Sequence, residues 1–153
     1  EIYTLSLHDA LPILSYQGNV IENIALDFEN GRIVKATATK GQDVLEKLLA
    51  TDDGAKSLGE VSLVPDPSPI AQGGVLFYNT LFDENASDHL ALGAAYNSNI
   101  TGGKTEAPEV LAQRGWNISD VHVDFMIGSA DMNIDGITQD GQTVPVFRNG
   151  DWA

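Results

Sequence analysis

At 153 residues, 42% hydrophobic and 20% charged, the sequence is long enough for one domain with a buried core and has the balance of an ordinary soluble globular chain. It has no cysteine, which excludes disulfides and thiolate metal sites and suits a reducing cytoplasm; no apolar run nears the roughly 18 residues of a membrane-spanning helix. Eight basic against 22 acidic residues give a net charge of -14, which argues against nucleic acid and anionic membranes as partners and is compatible with cations, although the same charge simply keeps a cytoplasmic protein soluble.

The first thirteen residues, Glu1 to Ile13, lack the basic start and clean apolar run of a signal peptide. They resemble, at every position, one translated frame of a common short-read sequencing adapter. We therefore expect 1–13 to be an artefactual leader joined to a true reading frame near Leu14, which removes His8 and leaves His89 and His122 as candidate functional imidazoles.

Val20–Phe28 and Arg32–Thr39 are apolar, β-branched runs around Asn30-Gly31, the signal of a two-residue hairpin turn that needs φ > 0 twice. Over Asp43–Ala50, Val44, Leu45, Leu48 and Leu49 fall on one stripe of a helix. Leu58–Val64 reads as a strand, and Pro65, Pro67 and Pro69 then predict a stiff extended loop. Val75–Tyr78 reads as a short strand, and Thr80 with Asp83 as a helix cap. His89–Tyr96 fits helix or strand. Pro108–Arg114 is a short helix stopped by Gly115, Val121–Ile127 is a strand, and Ile134–Thr138 with Thr143–Phe147 forms a second hairpin around Asp140-Gly141. This order predicts an α+β fold, with a mixed, largely antiparallel sheet and a few short helices. A dinucleotide-binding fold is excluded, because the βαβ alternation and a Gly-rich phosphate loop are missing.

Strand periodicity puts His122 and Asp124 on one face and Val121, Val123 and Phe125 on the other. An imidazole and a carboxylate so spaced can meet one cation, since both are ligands of zinc and related divalent metals. On spacing alone such a pair is more often a surface feature of a half-buried strand. Glu60 would share a face with Leu58, Ser62 and Val64, and a carboxylate among such neighbours is either paired, metal-bound, or on a solvated edge. The stretch Phe77–His89 is the densest polar cluster; acidic loops like it are usually solvated turns, but Phe77, Tyr78 and Phe82 suggest that it packs on the body of the domain. His89 alone is more often structural than a ligand. Tyr96 would join its face in a helix, or in a strand bulged at Gly93. No HExxH, GxSxG or EF-hand pattern occurs, and a thiol or serine triad is poorly supported.

The runs Leu58–Val64, Leu76–Gly93 and Val121–Gly128, with the tail Val144–Trp152, resemble the family of thermophilic aminopeptidase T and staphylococcal aminopeptidase S, in order across 14–153. The resemblance implies a cytoplasmic, dimeric metallo-aminopeptidase that removes N-terminal amino acids from peptides. A water activated by two divalent ions (zinc, cobalt or magnesium) would do the chemistry. By motif it implies Glu60, His89, His122 and Asp124 as metal ligands, with Glu60 and Tyr96 as catalytic residues; the general base is either Glu60 or a second metal-binding glutamate of the family that lies upstream. The chain is accordingly expected to be the partial C-terminal metal-binding catalytic domain, 14–153, lacking that glutamate and showing weak metal binding and little activity by itself. Asp88 stands where relatives often have Cys, and a carboxylate there is expected to orient or perturb His89. The alternatives are another metal-dependent amidohydrolase or phosphoesterase, or a non-enzymatic acidic cation-binding module.

Overall fold

The computed structural model describes residues 2–5, 13–75, 77 and 79–153. In chain order its elements are β1 (Ile2–Leu5), β2 (Ile13–Tyr16), β3 (Asn19–Glu22), β4 (Ala25–Glu29), β5 (Arg32–Thr37), α1 (Gln42–Leu49), β6 (Leu58–Ser62), α2 (Pro69–Gly73), α3 (Thr80–Asp83), β7 (His89–Gly93), α4 (Pro108–Gln113), β8 (His122–Met126), β9 (Ile134–Ile137), β10 (Thr143–Arg148) and β11 (Asp151–Trp152). The expected α+β class holds, with the strands divided among four small sheets. Two compact units result, Glu1–Val61 with Leu90–Phe125, and Ser62–His89 with Met126–Ala153. Among the described residues, no helix is long and apolar enough to cross a membrane.

In the first unit β4 and β5 pair antiparallel through the Asn30-Gly31 turn, whose φ values of 51° and 78° are the left-handed pair that the two-residue turn demands. The expected first run of this hairpin is broken: Asn23 takes φ 53°, so 19–22 turns away as β3 and pairs with β2. β1 pairs antiparallel with β4. The leader expected over 1–13 lies largely outside the described residues. Helix α1 buries Leu45, Leu48 and Leu49 of the stripe read from its spacing and leaves Val44 half-buried at its edge; Ile21, Ile24, Leu26 and Phe28 of the same unit are buried too. Strands β6, β7 and β8 form a sheet in that order. All five residues of β7 are buried, as befits a central strand, so of the stretch 89–96, which fits helix or strand, 89–93 is strand and 94–96 is neither.

In the second unit the proline-rich stretch is not wholly extended. Pro69 opens α2 at its first turn, where the missing N–H costs nothing, and the Ser68 hydroxyl caps it by accepting from the Ala71 N–H at 3.1 Å. The strand expected over 75–78 does not form at Val75 or Phe77, and Leu76 and Tyr78 lie outside the described residues. The cap of α3 is Asn79, one residue before the expected Thr80: its side chain accepts from the Leu81 N–H, while Asp83 reaches back to accept from the Phe77 and Asn79 N–H groups. β9 and β10 form the expected second hairpin, with Phe147 fully buried and Trp152 edge-on to it at 4.6 Å.

Candidate metal centre

Strand β8 alternates as its residues dictate. Val123 and Phe125 are buried on one side, and His122 and Asp124 project from the other. Glu60, from β6, meets them. His122 Nε2 lies 3.3 Å from Glu60 Oε2 and 3.2 Å from Asp124 Oδ1, and ligand atoms of the three residues all fall within 4.8 Å of one another.

The opposite ring nitrogen sets the electrostatics. His122 Nδ1 is 2.7 Å from the Ala94 carbonyl. A carbonyl can only accept, so Nδ1 carries a proton and donates it. Nε2 therefore faces two carboxylate oxygens either as a protonated nitrogen or as a bare lone pair. In both cases the point where the three groups converge demands positive charge. Asp124 Oδ1 sharpens this. It is buried, and although it lies within ion-pair distance of Nε2, no donor reaches it in hydrogen-bonding geometry. A buried carboxylate oxygen in that condition is costly unless it coordinates a cation. One imidazole nitrogen with two carboxylates is also a donor set that zinc and related divalent ions accept. The residues present thus fit a divalent metal.

The backbone behind the cluster is tightly built. Gly93 adopts φ 97°, and a Cβ there would lie 2.1 Å from the Val121 carbonyl, so glycine is required where β7 ends beside β8. Tyr96 lies beyond that end, in a loop rather than on the strand. Its ring stands 5.6 Å from the His122 ring, centroid to centroid, and is largely exposed.

His89, the first residue of β7, is buried at 3% exposure, and its Nδ1 lies 3.0 Å from the Ser87 carbonyl. By the same reasoning Nδ1 donates there, directing Nε2 away from its own backbone. The Oδ1 of the neighbouring Asp88 accepts from the Val64 N–H at 2.6 Å. Burial pushes the Asp88 carboxyl up, opposed by that hydrogen bond and by the charge of His89. The aromatic side chains of 77–89 that are described do not pack inward. Phe77 and Phe82 lean on each other, centroids 5.5 Å apart, and both stay about half exposed. Reasoning from the sequence missed the Ala94 carbonyl altogether, since a backbone acceptor has no residue-type signal and lies 28 positions from its partner.

Comparison with known proteins adds an independent line. The family model described as thermophilic metalloprotease (M29) matches residues 8–152. Aminopeptidase AmpS of Bacillus subtilis (strain 168) is 58% identical over 160 aligned residues, covering 100% of this chain and 39% of that protein. Aminopeptidase PepS of Streptococcus thermophilus is 58% identical over 140 residues, covering 92% of this chain and 34% of that one. Among solved structures, wild-type AmpT from Thermus thermophilus matches 99% of this chain and 36% of its own, with a TM-score of 0.84 and 46% identity. The chain therefore spans roughly a third to two fifths of the relatives it matches.

Proposed function

The chain belongs to the thermophilic metalloprotease (M29) family, and from that premise we propose that it supplies metal ligands and catalytic groups to a metal-dependent aminopeptidase that uses two divalent ions, zinc, cobalt or magnesium, to remove N-terminal residues from peptides. Glu60, His122 and Asp124 hold metal. One observation carries this: two carboxylate oxygens lie within 3.3 Å of one imidazole nitrogen, one of those oxygens being buried without a hydrogen bond. The reading adds His89 as a further ligand, supported by an Nδ1 hydrogen bond to the Ser87 carbonyl that parallels the one His122 makes to Ala94, an arrangement typical of metal-ligating histidines.

Divalent metal, when bound, would polarise the scissile carbonyl and make water nucleophilic near neutral pH. The protein's own groups do the rest. Either Glu60, a ligand, or the family's second metal-binding glutamate accepts a proton at the site. Tyr96, exposed beside the His122 ring, donates its phenolic hydrogen to the oxygen that gains charge during attack on the peptide carbonyl. The acidic surroundings favour a substrate with a free α-ammonium group, which restricts cleavage to the N-terminal bond.

The test is hydrolysis of leucyl-p-nitroanilide by the protein that carries this chain. Activity should disappear with a chelator and return with zinc, cobalt or magnesium. His122→Ala should lower it by more than about 100-fold, beyond what loss of an outer-shell partner costs. Undiminished hydrolysis by His122→Ala would sink the assignment. A panel of amides and phosphate esters distinguishes the other hydrolase reactions. Calcium preference with no role for either histidine would mark a cation-binding module instead.

A further inference from the structure

His122 presents Nε2 to a metal while its Nδ1–H stays hydrogen-bonded to the Ala94 carbonyl, so whatever aims that carbonyl controls the ligand. The segment around Ala94 is gripped from several directions. The Ala94 N–H donates to the Val121 carbonyl at 2.7 Å, and the Ala95 N–H donates to the Asn117 carbonyl at 2.9 Å. The Asn117 side-chain amide donates twice, to the Gly93 carbonyl at 2.6 Å and the Gly54 carbonyl at 2.9 Å. The Trp116 indole N–H donates to the Ala95 carbonyl at 2.7 Å. Asn117 thus holds the peptide groups on both sides of Ala94, through its side chain at Gly93 and its main chain at Ala95, and ties them to the turn at Gly54. Two amide hydrogens converging on two carbonyls cannot be reproduced by an aspartate of the same shape, which would face both acceptors with oxygen.

We propose that Asn117, assisted by the Trp116 indole, is a positioning residue that aims the Ala94 carbonyl at His122 Nδ1 and thereby directs Nε2 toward Glu60 and Asp124. The inference rests on the metal-centre reading for its consequence, but not for its geometry. Asn117 touches no ligand. It acts through one main-chain oxygen, and its loss lets the imidazole rotate or exchange its proton.

The test uses the protein that carries this chain, labelled with ¹⁵N-histidine. In the wild type the His122 Nδ1 proton should appear as a protected resonance, and its exchange with solvent should quicken by about tenfold or more in Asn117→Ala, with zinc affinity, titrated with the metal alone, falling about 10- to 100-fold. Trp116→Phe removes one donor and keeps the ring, so it should move both readouts the same way by less. If Asn117→Ala fails to fold, judged by loss of amide dispersion, Trp116→Phe decides the matter. Unchanged Nδ1 exchange in a folded Asn117→Ala, or in Trp116→Phe where that variant decides, overturns the proposal. Should zinc not bind the wild-type protein that carries this chain while Nδ1 exchange responds as expected, the metal reading fails and the positioning role stands. Should zinc bind and depend on Glu60 while Nδ1 exchange ignores Asn117, the positioning role alone fails.

Discussion

Two carboxylates of the acidic stretch 77–89, Asp83 and Asp88, and one of strand β8, Asp124, are the same chemical group put to opposite uses. Among the described carboxylates of the first, Asp83 accepts from the Phe77 and Asn79 N–H groups and Asp88 from that of Val64. These are backbone caps, and their negative charge is already engaged. On β8, Asp124 has a buried oxygen that no N–H reaches, aimed at a histidine whose other nitrogen is committed to a carbonyl. The informative quantity is how many backbone donors each carboxylate already holds.

That contrast can be broken by substitution. The largest effect is expected for Asp124→Asn, which should weaken zinc binding by more than about 100-fold yet leave the metal-free protein as stable as before or more so, because two carboxylates crowd one imidazole nitrogen there and one of the two negative charges is removed. Isothermal titration together with urea unfolding would show both halves; destabilisation without loss of zinc affinity would place Asp124 with the caps. Asp88→Ala should do the reverse. It strands the Val64 N–H and should cost about 1–3 kcal/mol of unfolding free energy in a urea titration. For Asp83→Ala the expected loss is about 1 kcal/mol, the usual value of a helix cap, again by urea unfolding.

The smallest expected effect depends on pH. The Asp120 N–H bonded to Asp52 holds its carboxyl below the usual carboxylate range, against desolvation, and the Ser119 hydroxyl and Ala55 N–H add to the lowering. A depressed carboxyl stabilises the fold above its unfolded value near 3.8, and that stability is lost as pH falls through the lower folded value. Asp52→Asn should consequently lower the urea midpoint at pH 7, with the difference from wild type shrinking as the acid limb is descended. A gap that stayed constant with pH would remove the charge from the explanation.

The same distinction explains what could be read from the sequence. Local patterns were legible. The alternation over 121–127 gave β8 and its two faces, Asn30-Gly31 gave a turn with two positive φ values, and the stripe over 44–49 gave α1. Glu60, His122 and Asp124 could be named because carboxylates and imidazoles announce their chemistry. Where the reading failed, a backbone group had decided the outcome. Pro69 began a helix because Ser68 supplied the cap, and Asn23 broke the first strand by turning to positive φ. The Ala94 carbonyl and the Asn117 clamp were invisible for a related reason. They are hydrogen bonds between positions more than twenty residues apart, and no spacing rule connects them.

Because the acceptor that fixes His122 belongs to the main chain, a point mutation at codon 94 that swaps one small residue for another leaves it in place. Deleting or inserting a single amino acid between Gly93 and Tyr96 would instead swing the oxygen away while every proposed ligand remained encoded. Genetic tolerance in this loop should accordingly be wide for identity and narrow for length.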